Sequence, residues 1–284
     1  MGNFSFKLSK ENINKIKSTF KEFIKPNANE YVDTFIQKDD LTITIYKSDK
    51  VVFQGNDAFF YASSYIETKR NRHGGSDEVG TGDVFGPVVV CATIVEEDDY
   101  PFIEEMNITD SKKLTDDYIR KIGPQLIERF KHSLLILDNE KYNRVHESNN
   151  LNAIKAKMHN QAYINLINKG YDMPRVSYID QFCEEDLYYK YLINEKNVYH
   201  NLLFETKAES KYPAVAVGSI ISRFAFLNCM DKLEELYKMK FPKGSSDTEN
   251  IDKAINEYIQ KYGIDNLNKV GKLHFANFNK YLKR

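Results

Sequence analysis

The chain has 284 residues, of which 42% are hydrophobic and 13% aromatic, enough to bury the core of one large or two smaller domains. The longest apolar run, Val84 to Val95, is interrupted by Gly86 and Pro87 and is too short to span a bilayer, and the N-terminus lacks the pattern of a signal peptide. Three cysteines without CxxC spacing argue against a disulfide framework or a thiolate zinc site. We therefore expect a cytoplasmic protein without membrane contact.

Charge is unevenly distributed along the chain, although the formal net charge is only −1. Residues 1–72 contain 12 Lys and Arg against 9 Asp and Glu, and the remaining residues contain 28 against 32. A polyanionic partner would meet more basic surface near the N-terminus. A difference of this size is also typical of ordinary solvated faces.

The first segment has the pattern of a small α+β unit. A strand, NFSFKLS, precedes a helix that Ser9 caps, and the apolar residues of this helix share one face up to Ile24, before Pro26 ends it. Three strands and a second helix follow, so the predicted order is β-α-β-β-β-α. We assign this domain to residues 1–66 and the charged stretch that follows, 67–74, to a linker.

The remaining residues, 75–284, alternate strands with helices. Gly75–Val79 and Val88–Val95 are predicted strands, and SLLILD, RVSYID and HNLLFET continue the strand pattern. One helix is predicted to begin at a Thr115 cap, a second covers LNAIKAKMHNQAYINLINKG, and a third covers a long apolar stretch that begins near PAVAVGS. This alternation predicts an α/β sheet covered by helices.

Four acidic residues lie at the ends of predicted strands or just beyond them. Asp77 and Glu78 close the first strand of the second domain, Asp180 closes VSYID, and Glu209 follows LLFET. Neighbours on a strand face opposite ways, so Asp77 and Glu78 can share a site only where the strand bends or ends, and we expect the glycines that follow to supply that break. Taken singly, each acid is more typical of a solvated pair, a turn or a loop.

Together, the four carboxylates indicate a metal site. Clustered carboxylates repel one another and raise each other's pKa unless cations lie between them. Oxygen ligands without His or Cys suit Mg²⁺ or Mn²⁺, and two such ions about 3.5–4 Å apart support in-line attack of water on phosphorus. The residues alone therefore indicate phosphodiester hydrolysis, with Asp77, Glu78, Asp180 and Glu209 as metal ligands and catalytic residues.

Longer motifs around these acids resemble the type 2 ribonuclease H family. The stretch GSDEVGTGDVFGPVVV is similar to its active-site signature, and DSKKL, YIDQF, KAESKYPAVAVGSIISR, FPKGSS and KLHFANF follow in order. The GTG form of the loop and Glu209 at the fourth acidic position resemble the ribonuclease HIII branch, since ribonuclease HII usually has GRG. The first domain is similar to the TATA-binding-protein-like domain of that branch.

The resemblance implies a ribonuclease H-like mixed sheet flanked by helices, preceded by a small α+β TATA-binding-protein-like domain. It implies an endoribonuclease that cleaves the RNA strand of RNA/DNA hybrids with two Mg²⁺ or Mn²⁺ ions, leaving 5′-phosphate and 3′-hydroxyl ends. We expect a monomer and infer no protein partner. The implied substrate contacts are the loop at Gly80, Thr81 and Gly82 for ribose 2′-hydroxyls, Ser111 and Lys112 for phosphate, and, as weaker candidates, Ser210, Lys211 and Arg223.

Other functions stay open at this point. A non-catalytic hybrid-binding protein would not need four clustered acids, and a metal-dependent phosphomonoesterase would not need an added nucleic-acid-binding module. A ribonuclease HII-like enzyme acting at single ribonucleotides in DNA is the nearer alternative. The GTG loop, Glu209 and the N-terminal domain argue against it.

Overall fold

The computed structural model describes residues 2–55, 58–63, 65, 71–108 and 114–282. The chain divides into two compact units, Met1–Lys69 and Arg70–Arg284. Each unit has its own hydrophobic core.

The first unit is a five-stranded antiparallel sheet with two helices. Its elements are β1 (Gly2–Lys7), α1 (Lys10–Thr19), β2 (Ile24–Lys25), β3 (Val32–Lys38), β4 (Leu41–Tyr46), β5 (Lys50–Gly55) and α2 (Ala58–Ser63). The strand order is β1-β5-β4-β3-β2, and every neighbouring pair is antiparallel. Ile13 and Ile16 of α1 pack in one core with Ile43 and Phe53 of the sheet. The small α+β domain is confirmed, with β2 as an additional short strand.

The first helix is shorter than its apolar pattern predicts. It begins after the Ser9 cap, whose hydroxyl accepts the Asn12 amide at 3.2 Å, and ends at Thr19. Ile24, expected on the buried face, is 42% exposed and pairs with Ile36 of β3 instead. The expectation was wrong because the last residues before Pro26, Ile24 and Lys25, pair with β3. The helical spacing of apolar residues carries no information about such strand pairing.

The second unit is a mixed sheet flanked by helices, as expected. Its strands are β6 (His73–Val79), β7 (Val88–Val95), β8 (Lys131–Leu137), β9 (Ser177–Asp180) and β10 (Leu202–Glu205). Its helices are α3 (Tyr100–Glu105), α4 (Asp116–Arg129), α5 (Asn139–His146), α6 (Leu151–Asn168), α7 (Glu185–Tyr191), α8 (Pro213–Tyr237), α9 (Thr248–Tyr262) and α10 (Asn279–Leu282). The strand order is β10-β9-β6-β7-β8, in which β10, β9 and β6 are parallel and β7 is antiparallel to both neighbours.

Two helices cover opposite faces of the central strand β6. A Cβ at Gly75 would lie 2.3 Å from the Val215 amide nitrogen, so α8 packs directly on this strand. Ser76, the next residue, hydrogen-bonds to His159 of α6 on the other face. Alternation along β6 thus directs successive side chains towards α8 and α6 in turn.

Helix α8 is the central helix of this unit. It is long and apolar enough to cross a membrane by length and composition, but 72% of its apolar window is buried inside the fold. Its contacts with β6 and β7 account for that apolar surface.

Strand β6 begins earlier than predicted. His73 and Gly74, assigned from sequence to the linker 67–74, pair with Val95 and Ile94 of β7. The strand extends this far because Gly74 has no side chain to obstruct its neighbour: a Cβ there would lie 2.1 Å from the Ser177 hydroxyl. His73 is buried, with its ring 5.9 Å from that of Tyr178.

Candidate carboxylate site at the sheet edge

Asp77 and Asp180 lie at the same end of adjacent parallel strands. The β6–β9 register pairs Ser76 with Ile179, so the next residues, Asp77 and Asp180, lie side by side. Burial raises the pKa of Asp77 to about 8, with the charges of Glu78 and then Asp180 acting in the same direction, while a hydrogen bond from Ser219 of α8 opposes the shift. The structure therefore brings these three acids close enough to influence one another's ionisation.

Glu78 does not turn towards Asp77. Strand β6 continues through Val79, so the break that was expected at the acidic pair comes after it. The Glu78 carboxylate instead pairs with two side chains of α6, the Lys155 ammonium and His159 Nε2, the latter at 3.0 Å. Burial would raise the pKa of Glu78, but the hydrogen bonds and charges of His159 and Lys155 outweigh it and lower that pKa.

Glu209 reaches the same edge through the loop that follows β10. It lies in a short 3₁₀ helix, Ala208–Ser210, and is 4% exposed. The Ala208 amide donates a hydrogen bond to Asp180 Oδ1 at 2.9 Å, which fixes this loop against the end of β9. Lys207, in the left-handed conformation with φ 56°, makes the turn into the 3₁₀ helix.

The donor set fits a hard divalent cation by chemistry, because it consists of carboxylate oxygens beside a buried sheet edge. Within the described ranges, however, no three His, Cys, Asp or Glu side chains converge in an arrangement ready to hold a metal ion. The direction of Glu78 towards α6 provides a physical reason, since its two oxygens face the Lys155 ammonium and the His159 imidazole.

The glycine loop after β6 contains two glycines in different situations. Gly80 has φ 91°, and a Cβ there would lie 2.1 Å from the Pro87 carbonyl oxygen, so the fold itself requires glycine. Gly82 is exposed, its φ is not in the left-handed region, and a Cβ there would meet nothing within 4 Å. Thr81 between them is partly exposed. Packing within the fold explains why residue 80 is glycine. It does not explain Gly82, whose backbone is accessible to a molecule outside the protein.

Residues of two later motifs form hydrogen bonds with the segment that follows this loop, residues 83–86. The buried Lys272 ammonium, from KLHFANF, donates to the Asp83 and Gly86 carbonyl oxygens at 2.8 and 2.6 Å. From FPKGSS, the Gly244 amide donates to Asp83 Oδ1 at 2.6 Å, and the Gly244 carbonyl accepts from the Val84 amide at 3.1 Å. Both motifs therefore hold the glycine loop beside the carboxylates.

The remaining candidate substrate contacts have mixed outcomes. Ser111 and Lys112 lie outside the described residues. Ser210 donates to the Lys207 carbonyl at 2.8 Å and is exposed, and the exposed Lys211 pairs with Glu205 at 2.7 Å.

Arg223 forms an ion pair within the protein. Its guanidinium makes a two-point ion pair with Asp116 at 2.9 and 3.1 Å, and Lys243 pairs with the same carboxylate. These two cations hold the pKa of Asp116 down, at about 2, although burial acts in the opposite direction. Arg223 therefore joins α8 to the start of α4, and its role as a substrate contact stays a prediction.

Sequence reasoning missed the residues that surround the carboxylates. The sequence does contain a signal for Lys155 and His159. They are polar residues one turn apart on a helix whose other residues are largely buried. Ser219 has none, because it is one of several small residues along α8.

Two family models match this chain. The model described as Ribonuclease HII matches residues 74–278, and a domain of unknown function, DUF3378, matches residues 3–77. The mixed sheet with its acidic edge thus defines a protein of the ribonuclease H class.

Curated relatives and solved structures are more specific. Ribonuclease HIII of Lactococcus lactis subsp. cremoris (strain SK11) is 39% identical, covering 99% of this chain and 98% of that protein. Ribonuclease HIII of Staphylococcus aureus (strain Newman) is 35% identical, covering 100% and 98%. The crystal structure of Bst-RNase HIII in complex with Mn²⁺ matches with a TM-score of 0.73 at 30% identity, covering 99% of this chain and 98% of that one. The chain belongs to the ribonuclease HIII family, which confirms the resemblance drawn from the motifs.

Proposed function

We propose that the protein is an endoribonuclease that hydrolyses the RNA strand of RNA/DNA hybrids by a two-metal-ion mechanism, leaving 5′-phosphate and 3′-hydroxyl ends. The observation that carries this proposal is the juxtaposition of Asp77 and Asp180 at the ends of adjacent parallel strands, with Glu78 and Glu209 delivered to the same edge. Membership of the ribonuclease HIII family and the similarity to a Mn²⁺ complex support the same chemistry.

Asp77, Glu78, Asp180 and Glu209 are the proposed ligands of Mg²⁺ or Mn²⁺. Held by these carboxylates, two such ions would supply activation of a water molecule and stabilisation of the leaving oxygen for in-line attack on phosphorus. The protein contributes fixed carboxylates: the Glu78 amide donates to Asp77 Oδ1 at 2.8 Å, and the Ala208 amide donates to Asp180 Oδ1. These backbone hydrogen bonds orient Asp77 and Asp180, two of the four proposed ligands.

Recognition of RNA is assigned to the glycine loop. Gly82 is exposed and has open space where a side chain would be, so a ribose can approach the backbone there. The 2′-hydroxyl can both donate and accept a hydrogen bond, which lets backbone amides and carbonyls distinguish ribose from deoxyribose. Ser111, Lys112, Ser210 and Lys211 are proposed as contacts to the phosphates.

The first unit is the proposed substrate-binding module. Its more basic composition favours a polyanion. A surface cavity of this unit is lined by three lysines and two acids, Lys10, Lys17, Lys47, Asp33 and Asp49, of which Lys17 and Asp33 pair with each other. We also propose that the protein acts as a monomer in the cytoplasm.

A labelled RNA/DNA hybrid incubated with the protein tests this proposal. Cleavage within the RNA strand is expected with Mg²⁺ or Mn²⁺ and is expected to stop when EDTA removes the metal. Binding of the hybrid without metal-dependent cleavage would favour the non-catalytic alternative. Product ends are checked by whether a phosphatase is needed before 5′-end labelling.

A further inference from the structure

Helix α6 presents two polar side chains to one carboxylate. Lys155 and His159 are separated by one helical turn and both contact Glu78, the ammonium at Oε1 and the imidazole Nε2 at Oε2. All three side chains are buried or nearly so, with exposures of 10%, 0% and 11% for Lys155, His159 and Glu78. Both Glu78 oxygens are therefore held by donors from a single helix.

The imidazole is itself oriented by the strand that carries Glu78. Ser76 Oγ lies 2.8 Å from His159 Nδ1, and Ser76 and Glu78 are two residues apart, on the same face of β6. Because a carboxylate can only accept, His159 Nε2 carries the proton that points at Glu78. The hydrogen bond between Ser76 and Nδ1 therefore holds the ring in the orientation that places Nε2 at Glu78.

An aromatic ring restricts the two α6 side chains further. The Lys155 ammonium lies 4.0 Å from the centroid of the Phe182 ring. The His159 ring stacks against the same ring at a centroid distance of 5.6 Å and an interplanar angle of 26°. Phe182 follows Asp180 by two residues, so this contact joins the α6 pair to the chain that leaves β9 at the carboxylate site.

We propose that His159 is a positioning residue for Glu78: oriented by Ser76, it fixes the Glu78 carboxylate for binding a divalent cation. Each carboxylate oxygen has more than one acceptor position, so accepting an N–H leaves room for a metal bond. Partners behind a metal ligand orient it, and their loss typically weakens metal affinity or activity about 10–100-fold. This inference rests on the proposed function, because it requires Glu78 to be a metal ligand.

Mn²⁺ binding to the substrate-free protein tests the inference without reference to catalysis. Free Mn²⁺ is measured by its electron paramagnetic resonance signal for the wild type, His159→Gln, His159→Leu and a control, Lys157→Met. The control lies on the same helix and pairs with Glu195 rather than Glu78. Thermal unfolding of each variant reports whether the fold is retained.

His159→Leu is expected to bind Mn²⁺ about 10–100-fold more weakly than the wild type. His159→Gln, which keeps an N–H at the position of Nε2, and Lys157→Met are expected to stay close to the wild type. In cleavage assays the Leu variant should need more Mn²⁺ for half-maximal activity, with kcat recovering at saturating metal. If the Leu variant does not fold, Ser76→Ala replaces it and is expected to weaken binding in the same direction.

Wild-type-like Mn²⁺ binding by a folded His159→Leu, or by Ser76→Ala where that variant replaces it, would overturn the inference. A folded Gln variant as weak as the Leu variant would also overturn it, because the ring and not the N–H would then be responsible. Asp77→Asn distinguishes failure of the metal site from failure of the role given to His159. If the wild type and Asp77→Asn bind Mn²⁺ equally, the proposed metal site fails first and the inference fails with it.

Discussion

Asp77 accepts a hydrogen bond through Oδ1 from the backbone amide of Glu78, its own neighbour in β6, at 2.8 Å. This bond holds one acid towards α8 while the other turns to α6. Asp77→Asn keeps an acceptor for that amide and removes a carboxylate whose ionised form is disfavoured by burial and by neighbouring charge. We expect cleavage to be abolished, while the melting temperature of the metal-free protein is unchanged or higher.

Cleavage assays and calorimetry of the same Asp77→Asn preparation check this. Asp180→Asn should behave in the same way towards substrate. Near-normal turnover by either variant in Mg²⁺ would show that these acids are not metal ligands.

The two glycines of the loop form a matched pair for mutation. Gly80→Ala introduces a methyl group at a positive φ, 2.1 Å from the Pro87 carbonyl oxygen, and should destabilise the fold by more than about 1 kcal/mol. Gly82→Ala meets no protein atom within 4 Å and should unfold at the wild-type denaturant concentration. Hybrid cleavage by Gly82→Ala should nevertheless fall, since the methyl group occupies space proposed for ribose.

Urea denaturation and steady-state kinetics separate these two effects. A Gly82→Ala variant with unchanged KM and kcat on hybrid would remove Gly82 from the substrate surface.

The Lys155 ammonium pairs with the Glu78 carboxylate. Lys155→Met leaves a nearly buried carboxylate without its charged partner, and loss of one member of a buried pair costs up to roughly 3–5 kcal/mol. A divalent cation restores positive charge at this edge, so Mn²⁺ should raise the melting temperature of Lys155→Met by more than it raises that of the wild type.

Thermal unfolding with and without Mn²⁺ measures both quantities, with Lys157→Met as the control on the same helix. Equal Mn²⁺-induced increments in Lys155→Met and the wild type would contradict the electrostatic role given to Lys155.

His73 links stability to pH in the mildly acidic range. Its Nε2 accepts the Ala214 amide at the start of α8 at 3.2 Å, and burial lowers its pKa from 6.5 to about 4. Between these values the unfolded chain binds a proton that the folded chain does not. Stability should therefore fall as the pH is lowered from 6.5 towards 4, by roughly 1.4 kcal/mol per pH unit from this group.

His73→Gln cannot titrate, so the pH dependence of its unfolding free energy should be shallower over the same window. Part of the slope should persist, because burial also lowers the pKa of His274 to about 4. An identical slope in the variant and the wild type would show that His73 is protonated alike in both states.

The sequence predicted which residues reach the sheet edge but not the direction in which each one points. Strand-end positions were sufficient to select Asp77 and Asp180, because strand periodicity and turn residues are local signals. The direction of Glu78 depends on where β6 ends, and the strand continues past it to Val79. The contact with His159 depends on how α6 packs across the sheet, a long-range relationship that one sequence does not report.

The same distinction explains the two boundary errors. Ile24 lies in a strand and not in the first helix because it pairs with β3. Strand β6 includes Gly74 because glycine allows close packing against Ser177. Both outcomes depend on partners distant in the chain. By contrast, the caps at Ser9 and Thr115 depend on residues three positions away and were predicted correctly.

Comparison of three labelled duplexes of equal length most directly tests the central claim that the carboxylate edge cleaves RNA in hybrids read through 2′-hydroxyls. In the first duplex one strand carries a run of at least about four ribonucleotides, in the second it carries a single ribonucleotide, and in the third it is all DNA. A run is needed because each 2′-hydroxyl offers only one or two hydrogen bonds, worth about 0.5–1.5 kcal/mol each. With Mg²⁺ or Mn²⁺ we predict efficient cleavage of the first, much poorer cleavage of the second and none of the third, with all activity lost in Asp180→Asn. Equal rates on the first two duplexes would indicate ribonuclease HII-like behaviour, and cleavage of the all-DNA duplex, or a fully active Asp180→Asn, would contradict the account.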